Sequence, residues 1–137
     1  MVELAAELNP EIEFQVGDLR ALDLADSTLA GVVAFYSLIH LRPDDLSPAL
    51  VELRRVLRPG GRVLLAVHEG AENRRPGEMW GIRVDLEFTF FSYDQLSSAL
   101  RAAHFAIEEI THRAPYPDVE VATDRLYALA VAAEADR

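Results

Sequence analysis

Two short runs carry most of the residues able to do chemistry. In "AFYSLIH", Tyr36, Ser37 and His40 follow a stretch of small and apolar residues. In "LLAVHEG", His68 and Glu69 close a second apolar stretch. Hydroxyl, imidazole and carboxylate groups at the ends of buried strands can orient a ligand or move a proton. His40 reads as a general base or a group that orients an acceptor, or else as a helix-start or buried structural histidine. Trp80, Phe88, Phe90 and Phe91 form an aromatic segment that suits a lid over an apolar ligand, and equally suits ordinary core packing. Asp18, in "GDL", has the type and place of a turn-forming residue after a strand. His104 and His112 read as surface or strand residues. With no compact two-His-plus-carboxylate spacing and no cysteine, no metal site is expected. The sequence also lacks the GxSxG motif of serine hydrolases and the P-loop.

These groups need elements to position them. Leu4 and Leu8 share a helical face that Pro10 ends. "IEFQV" alternates Ile12, Phe14 and Val16 with polar residues, which predicts a strand, and "GDLRALDLADST" a turn-rich connection. "LAGVVAFYS" reads as a buried strand. Leu46, Leu50, Leu53 and Leu57 are spaced as one apolar helix face, with Ser47 and Pro48 as cap and first residue. "RPGG" then stops that helix, and "RVLLAVH" is a second buried strand. "VDLEFTFF" predicts a strand with Val84, Leu86, Phe88 and Phe90 on one face. "SYDQLSSALRAAHF" predicts a helix capped by Ser92, and "AIEEITHRAPYP" and "RLYALAVAA" two closing strands. Helices alternating with strands predict an α/β sheet, and the absence of a helix between the last two strands allows an antiparallel edge pair.

Composition narrows the function classes. The 137 residues, half of them hydrophobic, suffice for one domain with a sizeable core. A net charge of −10 argues against a nucleic-acid binder, which needs a basic face. No apolar run approaches the ~20 residues of a membrane span, and "MVELAAELNPEIEF" is not a signal peptide, so a cytoplasmic location is expected.

The order of features resembles the class I S-adenosylmethionine-dependent methyltransferases. "EFQVGDLRALDL" resembles that family's third strand and acidic loop, and "STLAGVVAFYSLIHL" its fourth strand and following loop. "ALVELRRVLRPGGRVLLAVH" resembles the next helix and fifth strand, and "FFSYDQLSSALRAAHFAIEEI" the last helix and the strand after it. The resemblance implies an α/β, Rossmann-like doubly wound sheet, mostly parallel with a C-terminal antiparallel pair. It implies S-adenosyl-L-methionine as cofactor, touched by Asp18 and Leu19 at the adenine and by Tyr36 and Ser37 near the methionine moiety. His40 is the implied catalytic residue, with His68 and Trp80 against a small-molecule acceptor. The seven glycines never form the GxGxG run of the family's cofactor loop. Residues 1–137 are therefore expected to form a single, N-terminally truncated methyltransferase domain with part of the cofactor cradle missing. The expected quaternary state is a homodimer through exposed or exchanged strands. The alternative is a noncatalytic, self-associating remnant, or a subunit completed by a partner chain.

Overall fold

The computed structural model describes residues 1–133. Its elements in chain order are α1 (Val2–Leu8), β1 (Leu29–Phe35), α2 (Leu46–Val56), β2 (Leu57–His68), β3 (Glu78–Met79), β4 (Ile82–Arg83), α3 (Tyr93–Ala102), β5 (Phe105–Arg113) and β6 (Arg125–Ala132). Two single 3₁₀ turns, Leu38–His40 and Pro43–Asp45, lead from β1 into α2.

Four strands make the main sheet in the order β1-β2-β6-β5. β1 runs parallel to β2, while β6 is inserted antiparallel between β2 and β5. The antiparallel closing pair expected from the sequence is present. Helices α2 and α3 pack on each other and against the sheet. Their apolar stripes, Leu46, Leu50 and Leu53 on α2 and Leu96 and Leu100 on α3, meet Val63, Leu65 and Val67 of β2 and Leu126, Ala128 and Ala130 of β6 in one core. α3 begins with a complete capping box: Ser92 Oγ accepts from Gln95 N–H and Gln95 Oε1 from Ser92 N–H.

Several expectations are corrected. "IEFQV" is not a strand: among the described residues β1 is paired only with β2, and none supplies strand hydrogen bonds to residues 12–16, which leaves Ile12 and Val16 exposed. β1 is not buried along its length, because Val33 and Phe35 point to a face that neither α2 nor α3 covers and are 67% and 48% exposed. α2 starts at Leu46 with Asp45 as its cap residue, so Ser47 and Pro48 lie inside the first turn. It ends at Val56, before Pro59 is reached, since Leu57 already has extended backbone angles and pairs with Leu29. "VDLEFTFF" is not a continuous strand either. It is held at single points, Arg74 against Phe88 and Glu69 against Phe91, while residues 78–83 form a hairpin that alternation alone did not announce. That hairpin turns on Trp80 and Gly81, at φ 51° and 76°, the left-handed pair that a tight two-residue turn requires.

Residues 18–28 contain no helix or extended strand and are tied to α2 mainly through Arg55 and Glu52. The Arg55 guanidinium donates to the carbonyls of Leu22 and Leu24 and to the carboxylates of Asp26 and Glu52, and Glu52 accepts the Leu22 N–H. Arg55→Ala is expected to raise amide exchange across residues 20–28 by at least tenfold while leaving α2 and β2 protected. Unchanged protection in that loop would show that Arg55 does not hold it.

Candidate active site

The carboxyl ends of β1, β2 and β5 and the start of β6 lie at one end of the sheet, where open α/β sheets gather their ligands. Tyr36 leaves β1 in the left-handed region, φ 51°, an uncommon conformation for a bulky residue and typical of functional turns. Its amide still donates to the Ala66 carbonyl of β2 at 2.9 Å, and this fixes the ring over the end of the sheet. The Tyr36 hydroxyl lies 3.0 Å from that of Tyr127 on β6, and Arg113 also donates to the Tyr127 oxygen at 2.9 Å. Burial, then the bond to Tyr127, pushes Tyr36 above the usual phenol value; the bonds from Tyr36 and Arg113 hold Tyr127 below it. Either hydroxyl can donate in this pair.

His68 sits at the centre. Its ring stacks between Tyr36 and Phe90, with centroids 5.0 and 5.4 Å away and each ring inclined by 30°. Nδ1 is hydrogen-bonded to the buried Thr123 hydroxyl at 2.8 Å, which leaves Nε2 as the ring's remaining polar atom. Burial first, then the positive charges of Arg125 and Arg74, lowers the His68 pKa below its ordinary value, so the ring is neutral at pH 7.

An apolar pocket of about 350 Å³ opens beside this stack. Its walls are Met79 and Trp80 from the hairpin, Phe88 and Phe90 from the following segment, and Val121 from the loop before β6, with His68 and Arg74 as polar members. Trp80 lies at the hairpin tip and is 89% exposed. The two residues expected to touch an acceptor, His68 and Trp80, thus share one cavity. His40 is exposed and does not line it; its ring lies 5.4 Å from that of Phe88, a wall residue. Ser37 heads the 3₁₀ turn that carries His40 and accepts its amide.

Asp18 and Leu19 stand in the loop that Arg55 ties down. Asp18 Oδ1 accepts the backbone N–H and Nε of Arg20, and Oδ2 accepts its terminal nitrogen at 2.7 Å. Arg20 holds the carboxyl ionised, with a pKa of about 2. An ionised carboxylate has about four acceptor positions, so Oδ2 keeps one for an incoming amino group. Leu19 packs against the core beside it. A cleft of about 420 Å³ adjoins this loop, lined by Val16, Gly17 and Leu22 among others.

Residues that sequence reading passed over organise the site from the C-terminal side. Glu120 takes two parallel bonds from Arg113, at 2.8 Å each, and lies 3.6 Å from the buried Arg125. It accepts the Tyr116 N–H as well, so the loop between β5 and β6 closes around one carboxylate. Arg113 foremost holds Glu120 at a pKa of about 2. Because this folded-state value lies below the unfolded one near 4.5, the clamp stabilises fully above about pH 4.5 and is lost as pH falls toward 2. Near-ultraviolet dichroism of the tyrosines is expected to hold steady down to about pH 4.5 and then decline; a transition centred near pH 6 would exclude Glu120 as its cause.

A second unannounced group lies nearby. His112 Nε2 is 3.1 Å from Glu69 and 3.3 Å from Asp124. Three donors at such separations could hold a divalent ion, although sequence reading expected no metal. Spacing gave no signal, because the three residues come from just after β2, the end of β5 and just before β6.

Comparison with known proteins agrees with this architecture. Residues 1–61 match the family described as "Methyltransferase domain". The chain is 29% identical over 122 residues to a malonyl-[acyl-carrier protein] O-methyltransferase of Serratia marcescens, covering 87% of this chain and 47% of that protein. It spans about half the length of that relative. Among solved structures, an S-adenosylmethionine-dependent methyltransferase from Methanosarcina mazei superposes with a TM-score of 0.83 at 16% identity, over 95% of this chain and 76% of the other. Burkholderia thailandensis 1,6-didemethyltoxoflavin-N1-methyltransferase, solved with its acceptor and S-adenosylhomocysteine, gives 0.71 at 22% identity over 96% and 56%. The chain is thus similar in sequence, over residues 1–61, to the methyltransferase domain family, and it shares its fold with S-adenosylmethionine-dependent methyltransferases. No helix among the described residues is long and apolar enough to cross a membrane.

Proposed function

We propose that this chain serves cytoplasmic methyl transfer from S-adenosylmethionine to a small-molecule acceptor, which lies in the pocket between His68 and Trp80. The observation that carries the reading is the apolar pocket at the carboxyl end of the sheet, next to the strained Tyr36 turn. In this reading the methionine end of the cofactor lies along Tyr36 and Ser37, and Asp18 and Leu19 meet the adenine. The sulfonium supplies an electrophilic methyl group, so the protein's main task is to align acceptor and donor in line while excluding water. Phe88, Phe90 and Trp80 provide the dry wall. His40, one ring away behind Phe88, orients the acceptor or takes its proton.

Without a GxGxG run, the chain offers fewer backbone donors to the cofactor than a full cradle does. Losing several such bonds weakens binding by several kcal/mol. Calorimetric titration with S-adenosylhomocysteine, carried to millimolar concentration, is expected to give saturable one-site heat. No heat at that concentration would overturn the reading.

The free edge of β1 and the exposed Val33 and Phe35 favour a second reading, a subunit completed by another copy or a partner chain. Light scattering at micromolar concentration should then give a dimer mass, which a clean monomer would contradict.

A further inference from the structure

We infer that the pocket beside His68 takes a planar aromatic molecule carrying one anionic oxygen, with Arg74 as its charge partner and His68 Nε2 as its hydrogen-bonding partner. This narrows the acceptor class and rests on the proposed methyl-transfer reading. The walls decide the body of the ligand. Met79, Trp80, Phe88, Phe90 and Val121 offer flat and apolar surface, and the existing stack of Tyr36, His68 and Phe90 shows that planar groups pack there face to face.

The polar members decide its charge. Arg74 is fixed through its backbone, which exchanges two hydrogen bonds with Phe88 at 2.9 and 2.7 Å. Its guanidinium lies 5.1 Å from the centre of the Phe90 ring. No carboxylate or carbonyl among the described residues pairs with that guanidinium, whereas the next residue, Arg75, is paired with Glu87 at 3.1 Å. An unpaired cation at the edge of an apolar cavity, in a chain of net charge −10, complements an anion. His68, held at Nδ1 by Thr123, adds a hydrogen bond without adding charge.

Trp80 is the only tryptophan, so intrinsic fluorescence reports this pocket directly. The full chain is titrated with 2-naphthoate and with the uncharged 2-naphthamide, without cofactor, and binding is followed by fluorescence and calorimetry. Naphthoate is expected to bind about tenfold more tightly, the smaller end of what one charge-assisted hydrogen bond contributes. Arg74→Gln should abolish the preference and leave the affinity for the amide in place, while Arg75→Gln keeps the preference. Equal affinities in the unmodified chain, a preference surviving in Arg74→Gln, or no saturable binding of either compound would overturn the inference. The two readings fail separately. Loss of the cofactor heat with the naphthoate preference intact removes methyl transfer as the function. Cofactor binding with equal affinities removes only the anionic aromatic ligand.

Discussion

Phe91→Ala is expected to lower the stability of the chain by about 3–5 kcal/mol, the cost of deleting a large buried aromatic ring. Phe91 is 2% exposed and belongs to the core beneath β2. It is also the point at which the irregular segment 69–91 rejoins the sheet. Its amide donates to the His68 carbonyl at 3.1 Å and its carbonyl accepts from Gly70. Removing the ring leaves a cavity and loosens the anchor of every wall residue that precedes it. The melting temperature should therefore fall by about 6–20 °C, at about 2–4 °C per kcal/mol for a domain of this size. Phe91→Leu separates the two effects, since it keeps most of the apolar volume and should cost about 1–2 kcal/mol. A loss below about 1 kcal/mol for the alanine variant would mean that Phe91 does not anchor the segment.

Gly61→Ala carries the second large effect, and its cause is backbone rather than side chain. A Cβ at position 61 would stand 2.9 Å from the Arg58 carbonyl oxygen, 3.1 Å from that of Ala30 and 3.1 Å from the Leu57 side chain. The first two are main-chain atoms at the irregular start of the β1–β2 pairing, where the register shifts between Leu29 and Gly31. The Ala30 oxygen moves only if the two strands separate, and the Arg58 oxygen only if the backbone through Gly60 rearranges. A cost of about 2–4 kcal/mol is expected, in the range of overpacking with backbone displacement. Gly60 makes the contrast. It is left-handed at φ 76° with open space around it, so Gly60→Ala strains only the backbone and should cost about 1 kcal/mol. Urea melts of the two variants check the order; a Gly60 variant less stable than the Gly61 variant would refute this account of the junction.

That junction shows what could be read before the structure was known. "RPGG" marked a change from helix to strand, and the Leu46, Leu50 and Leu53 spacing gave the buried face of α2, because a one-sided helix writes its period into the sequence. The closing pair was legible for the same reason. The exact stop was not, because backbone pairing between Leu57 and Leu29 ends α2 before Pro59 can act. "IEFQV" shows the opposite limit. Alternation describes a segment willing to be a strand, but a strand also needs a neighbour, and position in a sheet is not written locally.

The site divides in the same way. Tyr36, His68 and Trp80 were legible because strand ends and aromatic clusters are local features. Glu120, Arg113 and Thr123 were not, since their roles arise only where the β5–β6 loop folds back over His68. The Asp18 loop was legible as a turn, and its bond to Arg20 two residues later confirms that local role. Arg55, 29 residues away from Asp26, fixes the position of that loop and gave no local signal.

In the proposed function, cofactor and acceptor meet at the carboxyl ends of β1 and β2. Amide-resolved NMR during titration with S-adenosylhomocysteine reads that meeting point residue by residue. Saturable shifts are expected at Gly17, Asp18 and Leu19 and at Tyr36 and Ser37, with smaller ones at His68 and Phe90. Shifts confined to other parts of the chain, or none up to millimolar ligand, would contradict it.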